Sequence, residues 1–256
     1  MAEVVIVRDA AEAAELVADT VLALVERKPD AVLGLATGSS PLAVYGALAT
    51  RRADLSRVRG FALDEYVGLP EGHPESYRAV IDREVVEPLG LTPELVRVPG
   101  HGGPIETAGE DYERAIREAG GVDLQLLGIG RTGHIGFNEP GSSFGSLTRV
   151  KTLTETTRRD NARFFDTPDE VPTHCITQGL GTISRAEHLV LLAFGEAKAG
   201  IVAAALEGPV TSMVPGSAVQ LHRHVTVLLD DAAASRLVNA DYYRHAWENR
   251  LPWEML

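Results

Sequence analysis

The sequence predicts an α/β fold with a mostly parallel central sheet. Short runs of β-branched and apolar residues alternate with longer amphipathic stretches, and this order is typical of parallel strands joined by helices. The 256 residues are 45% hydrophobic and 23% charged, which is enough for a sizeable core, and α/β domains of about 250 residues often form one unit. No linker or low-complexity tract divides the chain, so we expect one domain over residues 1–256.

Seven short apolar runs are the predicted strands. In chain order they occupy residues 4–7, 31–36, 61–64, 95–98, 124–129, 188–194 and 225–230. Apolar residues recur at helical spacing between several of these strands. The predicted helices occupy residues 9–28, 41–51, 77–86, 106–119 and 196–207, and another helix follows the last strand.

Charge and composition exclude several classes of partner. The net charge of −12 argues against nucleic acid, because phosphate backbones are bound by basic surfaces. The chain shows neither a long apolar segment that could span a membrane nor the N-terminal pattern of a secretion signal. The single cysteine, Cys175, excludes an intramolecular disulfide and a cysteine-based zinc site. We therefore expect a cytoplasmic protein without a membrane partner.

Glycine-rich and polar stretches follow three of the predicted strands. ATGSSP follows the second strand, DEYVGLP the third and GRTGHIGFNEP the fifth. Ligands of parallel sheets bind where loops leave the carboxyl ends of the strands. The three loops are therefore expected to meet in one crevice.

ATGSSP has the properties of a phosphate-binding turn. Gly38 and Ser39 precede a helix that opens with Pro41, and Ser40 is the expected N-cap. Free backbone N–H groups at such a helix start suit an anion. The alternative is an ordinary capped turn, and the absence of a lysine shows that it is not a Walker motif.

The pair Asp64 and Glu65 ends the third predicted strand. Alternation along a strand sends the two carboxylates to opposite faces, so only one can readily point into the crevice. A carboxylate in that position can act as a general base at carbon. The alternative is an exposed acidic turn.

GHIGFNEP is the most specific of the three stretches. Its glycines allow a close approach of backbone to a ligand, and His134 can give and take a proton near neutral pH. Glu139 could orient His134 or share its proton, although the pair could also be a purely structural turn. HRH at 222–224 could place two imidazoles on one side of a strand, but it lacks a companion ligand, so we expect solvated surface there.

An anionic ligand inside an acidic protein needs a few well-placed cations. The stretch TETTRRDNARFF is a predicted helix with Arg158, Arg159 and Arg163, and Lys198 follows a strand end. Arginine suits a bidentate phosphate contact, and lysine adds a point charge. A solvated helix face is the alternative for each.

These stretches resemble the glucosamine-6-phosphate deaminase family, also called glucosamine-6-phosphate isomerases. The similarity runs through nearly the whole chain, in ATGSSP, LDEYVGL, HPESY, GIGRTGHIGFNEP, TRVKTLT, ARFF and AKAGIVAAALEG. It implies a Rossmann-like three-layer α/β sandwich with a mostly parallel central sheet. It also implies that glucosamine 6-phosphate and water become fructose 6-phosphate and ammonia, without a metal or an organic cofactor.

The resemblance also implies roles for individual residues. Asp64 matches the base that moves a proton between C2 and C1, and His134 and Glu139 match residues that assist opening of the pyranose ring. Thr132 departs from the family, because many members have an aspartate there and some have an asparagine. The residues that match the phosphate site are Gly38, Ser39, Arg163 and Lys198.

The resemblance also implies a second site, which would be regulatory. Some family members are oligomers activated by N-acetylglucosamine 6-phosphate between subunits. The residues that match that site are Ser142, Ser143, Arg149, Lys151 and Tyr242. We expect a homo-oligomer, with a hexamer favoured, and a lid at about residues 149–178. The alternative for the two cations is a solvated basic edge.

Two other functions compete with the deaminase. A 6-phosphogluconolactonase shares the fold and a similar glycine-histidine loop, but it hydrolyses a lactone and abstracts no proton from carbon. A non-catalytic sugar-phosphate sensor would be expected to have an appended basic DNA-binding segment, and this chain is acidic. The preference between gluco and galacto epimers stays open.

Overall fold

The computed structural model describes residues 3–251, so residues 1–2 and 252–256 of the predicted domain lie outside it. The strands within this range are β1 (Glu3–Val7), β2 (Val32–Leu35), β3 (Arg59–Ala62), β4 (Asp64–Val67), β5 (Val96–Arg97), β6 (Leu124–Gly128), β7 (Arg149–Thr152), β8 (His174–Thr177), β9 (His188–Ala193) and β10 (Val225–Asp230).

The α-helices in the same part of the chain are α1 (Ala10–Arg27), α2 (Ser39–Arg51), α3 (Tyr77–Ile81), α4 (Glu87–Leu89), α5 (Ile105–Glu118), α6 (Glu155–Asn161), α7 (Leu180–Ile183), α8 (Ala199–Leu206), α9 (Asp231–Ala234) and α10 (Ala240–Glu248). A π-helical turn, Asp82–Val86, joins α3 to α4, and a 3-10 turn, Glu196–Lys198, precedes α8. The single helices predicted over 77–86 and 196–207 are therefore each interrupted.

The seven predicted strands form one sheet in the order β1-β10-β9-β6-β2-β3-β5. Every neighbouring pair in this sheet is parallel. Strands β2 and β9 are buried throughout, as expected when helices cover both faces of a parallel sheet. The predicted α/β fold is confirmed.

Helix starts are set by local side-chain and backbone conformation. Asp9 caps α1 by accepting the N–H of Glu12, an interaction that contributes about 1 kcal/mol. The cap expected at Ser40 is wrong, because α2 begins at Ser39, two residues before the predicted start, and its N-cap is Gly38. Gly38 has a φ of 100°, a backbone conformation that a serine would adopt only with strain.

A second sheet of three antiparallel strands, in the order β4-β8-β7, lies beside the parallel sheet and was missed in the sequence. The run FALD was predicted as one strand, but the chain changes sheets at Leu63. The N–H of Leu63 still bonds to the carbonyl of Leu35 in β2, and its own carbonyl accepts from Gln178. Asp64 then pairs with Thr177 of β8.

A small apolar cluster joins the second sheet to the loop after β6. Tyr66 lies at its centre, with its ring centroid 5.7 Å from that of Phe137 and 5.7 Å from that of Phe165. Buried Leu153, Val171 and Cys175 complete the cluster. Residues 149–178 therefore pack on the GHIGFNEP loop, and their motion as a lid stays a prediction. Within residues 3–251 no helix is long and apolar enough to cross a membrane.

A cluster of histidines lies at the amino end of β9 and β10. The ring of His188 stacks on that of His224 at a centroid distance of 3.7 Å, and its Nε2 lies 2.9 Å from Thr226 Oγ1. His222 is buried, with Nε2 2.7 Å from the carbonyl of Ala186. The expectation that HRH is wholly solvated is therefore wrong for His222, because its ring is enclosed by backbone carbonyls.

We expect His188 to make the protein less stable in mild acid. Burial, together with His224 and His222, lowers the pKa of His188 to about 3, whereas the unfolded chain binds that proton near about pH 6.5. The stability that His188 contributes is fully present above about pH 6.5, the pKa in the unfolded chain. It is lost as the pH falls from there towards the folded pKa of about 3. The loss should be about 2 kcal/mol between about pH 7 and about pH 5.

Urea unfolding at these two pH values measures the effect in the native protein, in His188→Gln and in a control. The control is His245→Gln, because His245 is exposed on α10. The pH dependence should shrink in His188→Gln and persist in His245→Gln. The same pH dependence in all three proteins would show that His188 does not cause it.

Candidate active site

A crevice of about 430 Å³ lies at the carboxyl ends of β2, β3 and β6. The predicted site residues that line it are Gly38, Ser39, Asp64, His134, Arg163 and Lys198. Another cavity of about 410 Å³, beside β5 and α5, is lined by none of them. The three loops therefore meet in one place, as the order of strands predicts.

Two hydrogen bonds from α2 hold the start of the turn that is predicted to bind phosphate. The hydroxyl of Tyr45 on α2 accepts the N–H of Ala36 over 3.1 Å and donates to its carbonyl over 2.9 Å. This pair of bonds fixes the end of β2. The following residues, Gly38 and Ser39, are exposed to the crevice at the first turn of α2, where N–H groups lack helical partners.

Asp64 is 6% exposed and faces the crevice. Glu65, on the opposite face, accepts the N–H groups of Tyr66, Tyr77 and Arg78. The alternative of an exposed acidic turn is therefore wrong for both carboxylates. Burial and the nearby Glu65 raise the pKa of Asp64 to about 8, against the lowering effect of the Phe137 N–H. A carboxylate with this pKa is a stronger base than an ordinary aspartate.

Gly136 lets the loop after β6 approach Asp64. Its φ is 55°, and a β-carbon there would lie 3.4 Å from Asp64 Oδ2 and 3.0 Å from Thr177 Oγ1. A side chain at this position would therefore strain the backbone and press on both groups. Because of this close approach, the loop that carries His134 lies against the second sheet.

His134, Thr132 and Glu139 form a hydrogen-bonded chain. Thr132 Oγ1 lies 2.9 Å from His134 Nδ1 and donates to Glu139 Oε2 over 3.1 Å. A hydroxyl has one hydrogen, so His134 Nδ1 is the donor in the first contact. His134 Nε2 is then the ring nitrogen that can accept a proton. Nδ1 also lies 3.5 Å from Glu139 Oε2 directly.

Glu139 stays ionised in this environment. Burial acts to raise its pKa, but hydrogen bonds from His134, Thr157 and Thr132, together with the charge of His134, hold the pKa at about 2. The hydroxyls of Thr154 and Thr157 both donate to Oε1. A permanently charged carboxylate is thus fixed behind His134, where it can stabilise an added proton.

Gly130 makes room for the imidazole. A β-carbon on Gly130 would lie 2.1 Å from His134 Nε2, which is a severe overlap. The N–H of Gly130 also bonds to the carbonyl of His134 over 2.9 Å. The sequence shows that this loop is rich in glycine, but it does not predict the contact between Gly130 and the imidazole ring.

Cations gather at one end of the crevice. Lys198 Nζ donates to the carbonyl of Ile129 over 2.7 Å, and burial lowers the pKa of Lys198. Arg163 is exposed, with its guanidinium 4.7 Å from the ring centroid of Phe164. The other two candidate arginines do not line the crevice, since Arg158 bonds to the carbonyl of Val171 and Arg159 to Glu155.

Several residues of the crevice were not singled out in the sequence. Arg131 and Asp160 line it and form an ion pair with each other. Other lining residues that were missed are Tyr77, Thr157, Asn161 and Phe164. Arg131 could have been recognised, because it is a cation inside the loop that holds His134.

The residues of the predicted regulatory site lie on several elements. Arg149 and Lys151 project to one face of β7, and Arg149 donates to Asn138 Oδ1 over 2.8 Å. Ser142 is buried, and the structure shows no hydrogen-bond partner for its hydroxyl among the described residues. Tyr242 is exposed on α10, which packs against the edge strand β1.

Comparison with known proteins agrees with this arrangement. Residues 8–228 match the profile of the family described as glucosamine-6-phosphate isomerases/6-phosphogluconolactonase. Glucosamine-6-phosphate deaminase of Bifidobacterium longum strain DJO10A is 58% identical, over 99% of this chain and 99% of its own. The Streptomyces avermitilis deaminase is also 58% identical, over 98% of this chain and 99% of its own.

Solved structures give the same result. A protein described as a monomeric glucosamine-6-phosphate deaminase superposes with a TM-score of 0.88 at 39% identity, covering 91% of this chain and 99% of that one. A 6-phosphogluconolactonase from Thermotoga maritima superposes with a TM-score of 0.72 at 21% identity, covering 90% and 99%, and shows the shared fold. The chain therefore belongs to the family of glucosamine-6-phosphate isomerases and 6-phosphogluconolactonases and, within it, to the glucosamine-6-phosphate deaminases.

Proposed function

We propose that this protein converts glucosamine 6-phosphate and water to fructose 6-phosphate and ammonia in amino-sugar catabolism, in the cytoplasm. The observation that supports it most directly is the buried carboxylate of Asp64 in the same crevice as the His134 relay. Isomerisation needs a base at carbon and a separate proton shuttle at oxygen. Relatives at 58% identity have this activity in their names.

Ring opening is assigned to His134. The hydrogen bond from Nδ1 to Thr132 leaves Nε2 to take the proton of the O1 hydroxyl and to return a proton to the ring oxygen, O5. The C1–O5 bond breaks and C1 becomes an aldehyde. Glu139 stabilises the imidazolium that forms between the two transfers.

Proton transfer between carbons is assigned to Asp64. The carboxylate takes the proton from C2 and returns it to C1, while the aldehyde oxygen gains a proton and the amino nitrogen loses one, so the amine at C2 becomes an imine of fructose 6-phosphate. Water then adds to the imine carbon, and ammonia leaves as the ketone forms. Gly38, Ser39, Arg163 and Lys198 are proposed to hold the phosphate at the other end of the crevice.

We expect the purified protein to release ammonia from glucosamine 6-phosphate and to lose that activity in Asp64→Asn. The amide keeps the shape but cannot act as a base, so kcat should fall by about 10²–10⁴-fold while a substrate analogue still binds. A control is Asp30→Asn, because Asp30 is exposed.

The same assay should include galactosamine 6-phosphate and 6-phosphogluconolactone. Ammonia from either amino sugar supports a deaminase and ranks the two epimers. Lactone hydrolysis without ammonia release would replace the proposal with a 6-phosphogluconolactonase. Binding without turnover of any of the three would favour a sensor, and normal turnover in Asp64→Asn would overturn the role of Asp64.

Thr132 is proposed to transmit the charge of Glu139 to His134 through a neutral hydroxyl. In Thr132→Asp a second carboxylate would favour the imidazolium, so His134 would become an effective base only at higher pH. The acidic limb of the plot of log kcat/KM against pH should therefore move to higher pH. Thr132→Val, which removes both hydrogen bonds without adding charge, should lower kcat instead. An unmoved limb in Thr132→Asp would exclude Thr132 from the relay.

A regulatory site at Ser142, Ser143, Arg149, Lys151 and Tyr242 is also proposed, in a homo-oligomer that is expected to be a hexamer. Arg149 and Lys151 share a face of β7, where both could contact one phosphate. One solved relative is described as monomeric, so sedimentation of this protein is the appropriate measurement of its assembly.

N-acetylglucosamine 6-phosphate should lower the substrate concentration at half-saturation, and Lys151→Ala should remove this effect without abolishing catalysis. The measurement is the initial rate across substrate concentrations, with and without the activator. Superimposable hyperbolic curves would mean that the five residues do not form a regulatory site.

A further inference from the structure

Arg131 and Asp160 form a bidentate ion pair inside the crevice. Arg131 Nη2 lies 2.9 Å from Asp160 Oδ1, and Arg131 Nε lies 3.2 Å from Oδ2. Arg131 belongs to the loop after β6 and directly precedes Thr132, whereas Asp160 lies on α6. Both side chains line the same cavity as Lys198 and Arg163.

The pair is open to solvent, with 61% of the Arg131 side chain and 36% of the Asp160 side chain exposed. Exposed ion pairs contribute little to folding, so this one can be exchanged for another partner at small cost. A guanidinium presents the same planar fork to a phosphate as to a carboxylate. Arg131 is therefore positioned to bind either anion.

The charges around Lys198 show how close these groups are to one another. Asp160 acts to raise the pKa of Lys198, whereas Arg131 and Arg163 act to lower it. Three cations and one carboxylate thus share one end of the crevice. A phosphate that arrives there must compete with Asp160 for the cations.

We propose that Arg131 is a further phosphate-binding residue of the substrate site and that Asp160 competes with the phosphate for it. This inference rests on the proposed function, because it takes the bound group to be the phosphate of the substrate. Asp160 thereby sets the affinity for phosphorylated ligands without touching the reacting carbons. Removing the carboxylate should strengthen binding, and removing the guanidinium should weaken it.

The test compares Arg131→Gln, Asp160→Asn and the double variant. Inorganic phosphate binding is measured by calorimetry, and KM and kcat are measured for glucosamine 6-phosphate. Arg131→Gln should weaken phosphate binding and raise KM by about tenfold, the effect of one charge-assisted contact. Asp160→Asn should strengthen phosphate binding and lower KM. The change in kcat should be smaller than the change in KM, because neither residue is assigned a role in proton transfer at C1 or C2.

The double variant separates competition for Arg131 from simple repulsion. If Asp160 acts by holding Arg131, Asp160→Asn has no effect once Arg131 is replaced. If the two effects add, Asp160 only repels the phosphate and the competition is refuted. Unchanged phosphate binding in Arg131→Gln would refute the whole proposal.

A matched control is present on the same helix. Arg159 and Glu155 on α6 form an ion pair of 3.2 Å that lies outside the crevice, with 76% and 85% of their side chains exposed. Arg159→Gln and Glu155→Gln change the protein's charge in the same way and should leave phosphate binding unaltered. Equal effects from the control pair would assign the result to long-range charge and overturn the proposal.

Failure of this inference and failure of the proposed function are distinguishable. The phosphate titration needs no turnover, so it tests Arg131 and Asp160 even if no ammonia is released. Ammonia release with unchanged phosphate binding in Arg131→Gln would leave the function intact and refute the inference. Altered phosphate binding in Arg131→Gln without ammonia release would support the inference and refute the proposed deaminase activity.

Discussion

The geometry of the crevice depends on the hydrogen bonds of the buried side-chain amide of Asn138. Its Nδ2 donates to the carbonyls of Ile135 and Gln178, and its Oδ1 accepts from Arg149. Gln178 in turn donates to the carbonyl of Ala62, two residues before Asp64. Because an unpaired amide in this position would cost the full penalty of desolvation, these bonds hold the histidine loop and the Asp64 strand at one separation.

The environments of Asp64 and Glu139 favour opposite protonation states of the two carboxyl groups. Asp64 is enclosed with Glu65 nearby and holds its proton to about pH 8, whereas Glu139 is surrounded by donors and its pKa is about 2. The first can therefore exchange a proton near neutral pH, and the second can serve only as a fixed charge. Opposite environments of this kind commonly separate the roles of acid and base in one active site.

The sequence was sufficient for the large sheet and for most of the crevice, because both depend on local patterns. Strand positions followed from apolar runs, and Asp64 and His134 from their places at strand ends. The second sheet was missed because β7 pairs only through long-range contacts and is not continuously apolar. Burial of His222 was missed for a similar reason, since the carbonyl that its Nε2 contacts belongs to Ala186, which is distant in the sequence.

The position of Arg149 gives a physical route between the proposed regulatory site and the relay. Its guanidinium donates to Asn138, whose backbone adjoins Glu139. An anion that drew Arg149 away would deprive a fully buried amide oxygen of its donor, and the loop would have to adjust to restore a partner. Coupling between two sites requires that a ligand favour one arrangement over another. This hydrogen bond supplies such a difference, whereas an arginine in open solvent would not.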